Sequence, residues 1–128
     1  MSEGEHPSIL IVDDDDMIRS YLSLILRQEN YTIAGEVGDI ARAERILNLK
    51  YVSLVFLDIN LPGTDGLTAL KSLRASYPKT RFVMISSEST SHNVMAAMTE
   101  GAKGFVTKPF NADKVIQAAQ RALASHDI

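Results

Sequence analysis

The chain of 128 residues contains no cysteine, which excludes disulfides, thiolate metal sites and thiol catalysis and accords with a reducing compartment. It has no basic stripe: the net charge is a mild −3, and nothing concentrates the lysines and arginines that neutralise nucleic-acid phosphates, so direct nucleic-acid binding is disfavoured. No apolar run approaches the roughly 20 residues that span a bilayer. The first residues, Met1 to Pro7, are short, polar and acidic rather than an export signal, so a cytoplasmic location with no membrane attachment is expected. No Gly/Ser/Pro-rich linker interrupts the middle, which leaves one domain over residues 8–125 between short tails at 1–7 and 126–128. The three histidines, His6, His92 and His126, stand apart without metal-ligand spacing and read as surface residues.

What the chain does have is an alternation of short apolar runs with longer amphipathic stretches. Ser8 to Val12 is apolar without polar interruption, as in a parallel strand covered on both faces, and it stops at four aspartates. Ile18, Leu22 and Ile25 then recur at helical spacing, with Tyr21 beside them. Asp15 and Asp16 fit the capped start of that helix. Thr32 to Val37 is more polar and suits an edge strand; Gly38-Asp39 offers a turn and cap for a helix carrying Ile40, Ala43 and Leu47 inward. Leu54 to Leu57 is a third strand ending at Asp58, followed by a loop with Pro62-Gly63 and a helix marked by Leu67, Leu70 and Arg74 and capped by Thr64 or Asp65. Arg81 to Ile85 is a fourth strand, breaking into a polar loop from Ser86 to Ser91, and the next helix ends near Gly101. Gly104 to Thr107 is a short fifth strand, and Asn111 caps a last helix presenting Ile116, Ala119 and Leu123 inward. On the fourth helix Val94, Met95 and Met98 are at least partly core by spacing, yet all three cannot face one way.

Five strand–helix pairs imply right-handed crossovers and a parallel sheet sandwiched by helices, an α/β doubly wound (βα)5 fold. Sites in such sheets form beyond the carboxyl ends of the strands. Asp13 and Asp14 follow the first strand, Asp58 ends the third, Ser86 follows the fourth and Lys108 follows the fifth, so residues distant in sequence are expected at one edge. Three carboxylates gathered there repel by roughly 4 kcal/mol per pair at about 4 Å and an effective dielectric near 20. One lysine does not balance them, and an oxygen-only donor set suits Mg2+ or Mn2+ rather than zinc. Beside such a cation Asp58 can act as a carboxylate nucleophile toward phosphorus, with Lys108 and the Ser86 hydroxyl meeting the incoming charge.

These motifs, Ile11-Val12-Asp13-Asp14, the run from Leu57 to Gly66, Met84-Ile85-Ser86 and Gly104 to Phe110, together resemble the receiver domain of two-component response regulators, the CheY-like family. The resemblance spans residues 8 to 124. It implies a flavodoxin-like strand order of 2-1-3-4-5. It further implies Asp58 as phosphoacceptor and metal ligand, Asp14 as a direct ligand, Asp13 as a ligand through water and Asn60 as a ligand through its backbone carbonyl. Lys108 would pair with Asp58 at rest and with the phosphoryl group after transfer, and Lys108-Pro109 would be a cis peptide. Ser86 and Phe105 would form a switch pair that reshapes the face of the fourth helix, fifth strand and fifth helix, where Val94 could meet a partner.

Two positions vary on the family pattern: Ser86 stands where Thr is commoner, and Phe105 where Tyr is frequent. Asn60 and Glu88 form a polar pair able to orient water, so a short phosphoryl lifetime is expected. The partners implied are a sensor histidine kinase or histidine phosphotransfer protein and a downstream protein target, with the chain a monomer or a phosphorylation-dependent dimer. No enzyme activity is expected beyond its own phosphoryl transfer and autodephosphorylation. A stand-alone regulator is favoured over a receiver excised from a longer one. A haloacid-dehalogenase-like phosphatase would place a second Asp where Asn60 stands, and a flavodoxin-like FMN carrier would need a phosphate loop where this chain has four aspartates.

Overall fold

The computed structural model describes residues 6–125; the tail residues 1–5 and 126–128, His126 among them, lie outside the described residues. The elements are β1 (Ser8–Val12), α1 (Asp16–Gln28), β2 (Thr32–Val37), α2 (Ile40–Leu49), β3 (Leu54–Asp58), α3 (Gly66–Ser76), β4 (Arg81–Ser86), α4 (Ser91–Thr99), β5 (Gly104–Thr107) and α5 (Ala112–Ala124). All strand pairings are parallel, in the order β2-β1-β3-β4-β5. That is the doubly wound order the motifs imply.

Alternation along each strand divides the core in two. Leu10, Val12, Val55, Leu57, Phe82 and Met84 face α2, α3 and α4. Ile9, Ile11, Leu54, Phe56, Val83 and Ile85 face α1 and α5. The central strands are buried on both sides, while β2 at one edge is half-exposed along its length. Each helix starts on a side-chain cap that accepts backbone N–H groups: Asp15, Asp39, Asp65, Thr90 and Asn111 in chain order. Of the two candidates before α3, Asp65 takes the role and bonds Leu67 N.

Two helical faces differ from expectation. In α5 the fully buried positions are Val115, Ala119 and Ala122, whereas Ile116 and Leu123 are half-buried at the margin of the same core. In α4 the buried residue is Ala97; Val94 is half-buried, and Met95 and Met98 are 68% and 46% exposed. Small side chains occupy the closest approach to the sheet, and the longer neighbours splay to the sides. Tyr21 stands out from α1 and stacks on Phe110, with ring centroids 5.6 Å apart. His6 and His92 are exposed. No helix among the described residues is long and apolar enough to cross a membrane.

Candidate metal and phosphoacceptor site

The site is assembled by strand register. Val12 is level with Leu57, Asp58 with Ile85, and Ser86 with Thr107. The residues just beyond these positions therefore emerge along one edge. Backbone bonds lock the arrangement: Asp13 N donates to Val37 O (3.0 Å), Ile59 N to Ile85 O (2.9 Å) and Lys108 N to Ser86 O (2.8 Å).

Asp13, Asp14 and Asp58 each place a carboxylate oxygen within 4.8 Å of the others. Asp13 and Asp58 are buried and Asp14 is exposed, so the cluster opens to solvent on one side. Asp58 Oδ1 accepts the N–H of Asn60 at 3.0 Å, and its Oδ2 faces the Lys108 ammonium at 3.2 Å. Lys108 Nζ lies nearer still to Asp13 Oδ2, at 2.9 Å. That second contact is an ion pair without hydrogen-bond alignment, which leaves Asp13 Oδ2 with no hydrogen-bond partner although it is buried. Asp13 Oδ1 is satisfied by the N–H of Asp15 at 2.9 Å.

Burial pushes the Asp13 carboxyl above the ordinary aspartate value of 3.8, against the pull of Asp15 N–H and Lys108, with the Asp58 charge adding to the rise. For Lys108 burial acts in the opposite sense, yet Asp13 and Asp58 outweigh it and hold the ammonium above its ordinary 10.5. Three carboxylates facing one ammonium leave a negative excess. With a buried Asp13 oxygen met only by the Lys108 ammonium, which Asp58 shares, and an exposed third acid at the mouth, the donor set fits a hard divalent cation that keeps some of its water.

The Ser86 side chain is fully buried; its Oγ accepts from Glu88 N at 2.9 Å and donates to Glu88 O at 3.3 Å. The hydroxyl is thus held by the loop after β4. Asn60 and Glu88 are both exposed. Phe105 is half-buried, packs against the Leu10 side of the core and lines a cavity of about 620 Å3 with Val94, Met98 and Lys114. The Lys108–Pro109 peptide is cis.

Two participants went unread in the sequence. Arg19, a turn into α1, donates to the Asp13 carbonyl and pairs with Asp16, holding the acidic loop to its helix. Its i, i+3 spacing from Asp16 was the available signal. Gly66 opens α3 where a Cβ would overlap the Ile59 backbone, and its N–H donates to Ile59 O at 2.9 Å. Only glycine lets α3 come close enough to buttress the loop beyond Asp58.

The family model described as the response regulator receiver domain matches residues 9–120. The chain belongs to that family. Receiver domains are signalling modules of two-component systems rather than classical enzymes, and Mg2+ and phosphoaspartate are typical of them. The chain is 35% identical over 115 residues to the chemotaxis protein CheY of Bacillus subtilis, a match covering 90% of this chain and 96% of that one. It is 38% identical over 117 residues to the nitrogen assimilation regulatory protein NtrX of Azorhizobium caulinodans, where the match covers 90% of this chain but 26% of the relative. Among solved structures, the CheX–CheY–BeF3–Mg2+ complex from Borrelia burgdorferi superposes with a TM-score of 0.85 at 28% identity, covering 93% of this chain and 90% of that one.

Proposed function

We propose that this receiver, residues 8–125, accepts a phosphoryl group on Asp58 from a sensor histidine kinase, a histidine phosphotransfer protein or a small phosphodonor, and thereby changes its affinity for a downstream protein. The observation that carries the reading is the buried Asp58 carboxylate, held 3.2 Å from Lys108 and within 4.8 Å of two further acids. Asp14, Asp58 and the Asn60 backbone carbonyl would hold Mg2+ or Mn2+ directly, and Asp13 through water. When bound, the cation supplies a positive charge against the anionic phosphoryl oxygens.

In the transfer, an Asp58 oxygen forms the bond to phosphorus as the donor's P–N bond breaks and its electron pair returns to the imidazole. Lys108 holds the Asp58 carboxylate in place beforehand, then shifts its ammonium to a phosphoryl oxygen. Ser86 would leave its bonds to Glu88 and donate to another phosphoryl oxygen, with the half-buried Phe105 ring following toward the core. Asn60 and Glu88 orient the water that later hydrolyses the acyl phosphate and returns Asp58 to a carboxylate. Moving a two-state balance from 1:99 to 99:1 takes about 5.5 kcal/mol of preference, a sum that several charge-assisted hydrogen bonds can supply.

The readout would be the α4–β5–α5 face, by a partner protein or by dimerisation of an otherwise monomeric chain, in the cytoplasm and without direct contact to nucleic acid or membrane. Two readings are carried forward: a stand-alone regulator, the match spanning 96% of CheY, and a receiver module of a longer regulator, the match spanning 26% of NtrX. Incubation with acetyl phosphate and Mg2+ followed by intact mass tests the acceptor: Asp58→Asn abolishes the added phosphoryl mass, and its persistence in that variant would place the acceptor elsewhere.

A further inference from the structure

The opposite edge of the sheet, where the strands begin and the helices end, carries a second concentration of charge, of opposite sign. A cleft of about 270 Å3 lies there, lined by Arg74 of α3, Pro78 and Lys79 of the following loop, Arg81 at the start of β4, and Tyr51 and Lys103. No carboxylate side chain among the described residues lines it. Arg74 and Arg81 are half-buried and Lys79 is exposed. None of these three makes an ion pair among the described residues; Arg74 donates to the Glu100 carbonyl at 3.5 Å and Arg81 to the Ser125 carbonyl at 2.7 Å. Lys103 is engaged in an interaction of its own.

A plain stabilising role accounts for part of this charge. Cations near helix C-termini offset the macrodipole, whose negative pole is worth about half an elementary charge per helix. The ends of α3, α4 and α5 together amount to roughly −1.5 on that scale, whereas Arg74, Lys79 and Arg81 bring three full positive charges. Among the described residues the surplus is more than one charge, in a space smaller than a drug-sized pocket, which typically starts near 300 Å3. Gly101 reinforces the point: it has φ +102°, and a Cβ there would run into the Arg74 guanidinium, so the glycine leaves that side chain its place over the cleft.

We propose that this cleft is an anion-binding site for a phosphate dianion, carried free or as a small phosphate monoester, gripped by Arg74 and Arg81 with Lys79 as a third, mobile cation. Two guanidinium forks arriving from different elements suit an acceptor with oxygens in three dimensions better than a planar carboxylate. Tyr51 and Pro78 provide a wall against which the organic part of an ester rests. The site is independent of Asp58 and of the metal cluster.

The test is a titration of the 15N-labelled full chain, in chelator-treated buffer, with inorganic phosphate and separately with ribose 5-phosphate. Expected are saturable shifts centred on the amides of Arg74, Thr80, Arg81 and Gly101. Arg74→Gln weakens binding by about tenfold, as loss of a charge-assisted pair does. Lys79→Gln, an exposed change with little bearing on folding, weakens it by about threefold. Phosphorylation of Asp58 by acetyl phosphate stays at the wild-type rate in both. Shifts that rise without saturation, that centre on the Asp58 edge, or that survive both substitutions undiminished would overturn the site. Tighter binding of the ester than of inorganic phosphate supports the Tyr51–Pro78 wall, and equal affinity overturns that part.

Discussion

Phe56 and Asp58 stand two residues apart on β3, are both buried, and live under opposite rules. Phe56 is enclosed by apolar neighbours from α1 and α5, and everything around it lowers the free energy of the folded chain. Asp58 is enclosed by two like charges and one ammonium, in a cluster that includes a desolvated second carboxylate sharing that ammonium. The same strands therefore supply stability in their middles and expend some of it at their carboxyl ends. The ends are where a ligand of the right charge gains most.

The contrast breaks most visibly from the apolar side. Phe56→Ala should lower unfolding free energy by about 3–5 kcal/mol in denaturant titration, through lost burial and the cavity left behind. At the charged end the largest change is expected from metal: Mg2+ at a hundred times its dissociation constant should raise stability by about 2.7 kcal/mol. Thermal unfolding with and without the ion measures that gain, and Asp14→Ala should remove most of it while leaving the metal-free melting point nearly unchanged. Between core and site, Gly66→Ala should cost about 1–3 kcal/mol, because the Cβ forces the Ile59 backbone away from α3. It should also slow phosphorylation of Asp58, which a purely structural penalty would not do at a temperature where the variant is folded.

The smallest effect has the most telling sign. Because the folded value of Asp13 is raised, the proton is bound more tightly in the folded chain than in the unfolded one. The penalty for its ionisation is absent below pH 3.8 and complete once pH exceeds the folded value, so on this group alone stability falls as pH rises through that interval. Asp13→Asn should therefore stabilise the metal-free protein at neutral pH, by the order of 1 kcal/mol common for single substitutions, while weakening Mg2+ binding. Lys108 runs the other way: its raised value means its contribution is intact at neutral pH and is lost as pH climbs from 10.5 through the folded value. A metal-free Asp13→Asn variant less stable than wild type at pH 7 would show that the Lys108 contact outweighs desolvation.

What could be read in advance follows the same division. β1, β3 and β4 announced themselves because strands covered on both faces are apolar at every position, and the helix caps did so because Asp and Asn have few other reasons to precede an apolar repeat. The inward faces of α4 and α5 were harder. Ala97, Ala119 and Ala122 sit closest to the sheet, and alanine favours helix whether buried or exposed, so its presence says little about direction. Met95 and Met98, partly core by spacing, point outward because Ala97 takes the position closest to the sheet. At the site, the meeting of Asp13, Asp14, Asp58 and Lys108 followed from topology alone. The sharing of Lys108 between Asp13 and Asp58, and the grip of Arg19 on the Asp13 carbonyl, depend on side-chain rotamers, which no spacing in the chain encodes.

The parallel rings of Tyr21 and Phe110 tie α1, which follows the acidic pair, to the segment two residues beyond Lys108. With no tryptophan and only four tyrosines in the chain, near-ultraviolet dichroism has few contributors. If Lys108 moves to a phosphoryl oxygen as proposed, a stacked ring lies two residues along the chain from it, and a change in the Tyr21 dichroism on phosphorylation would gauge that movement.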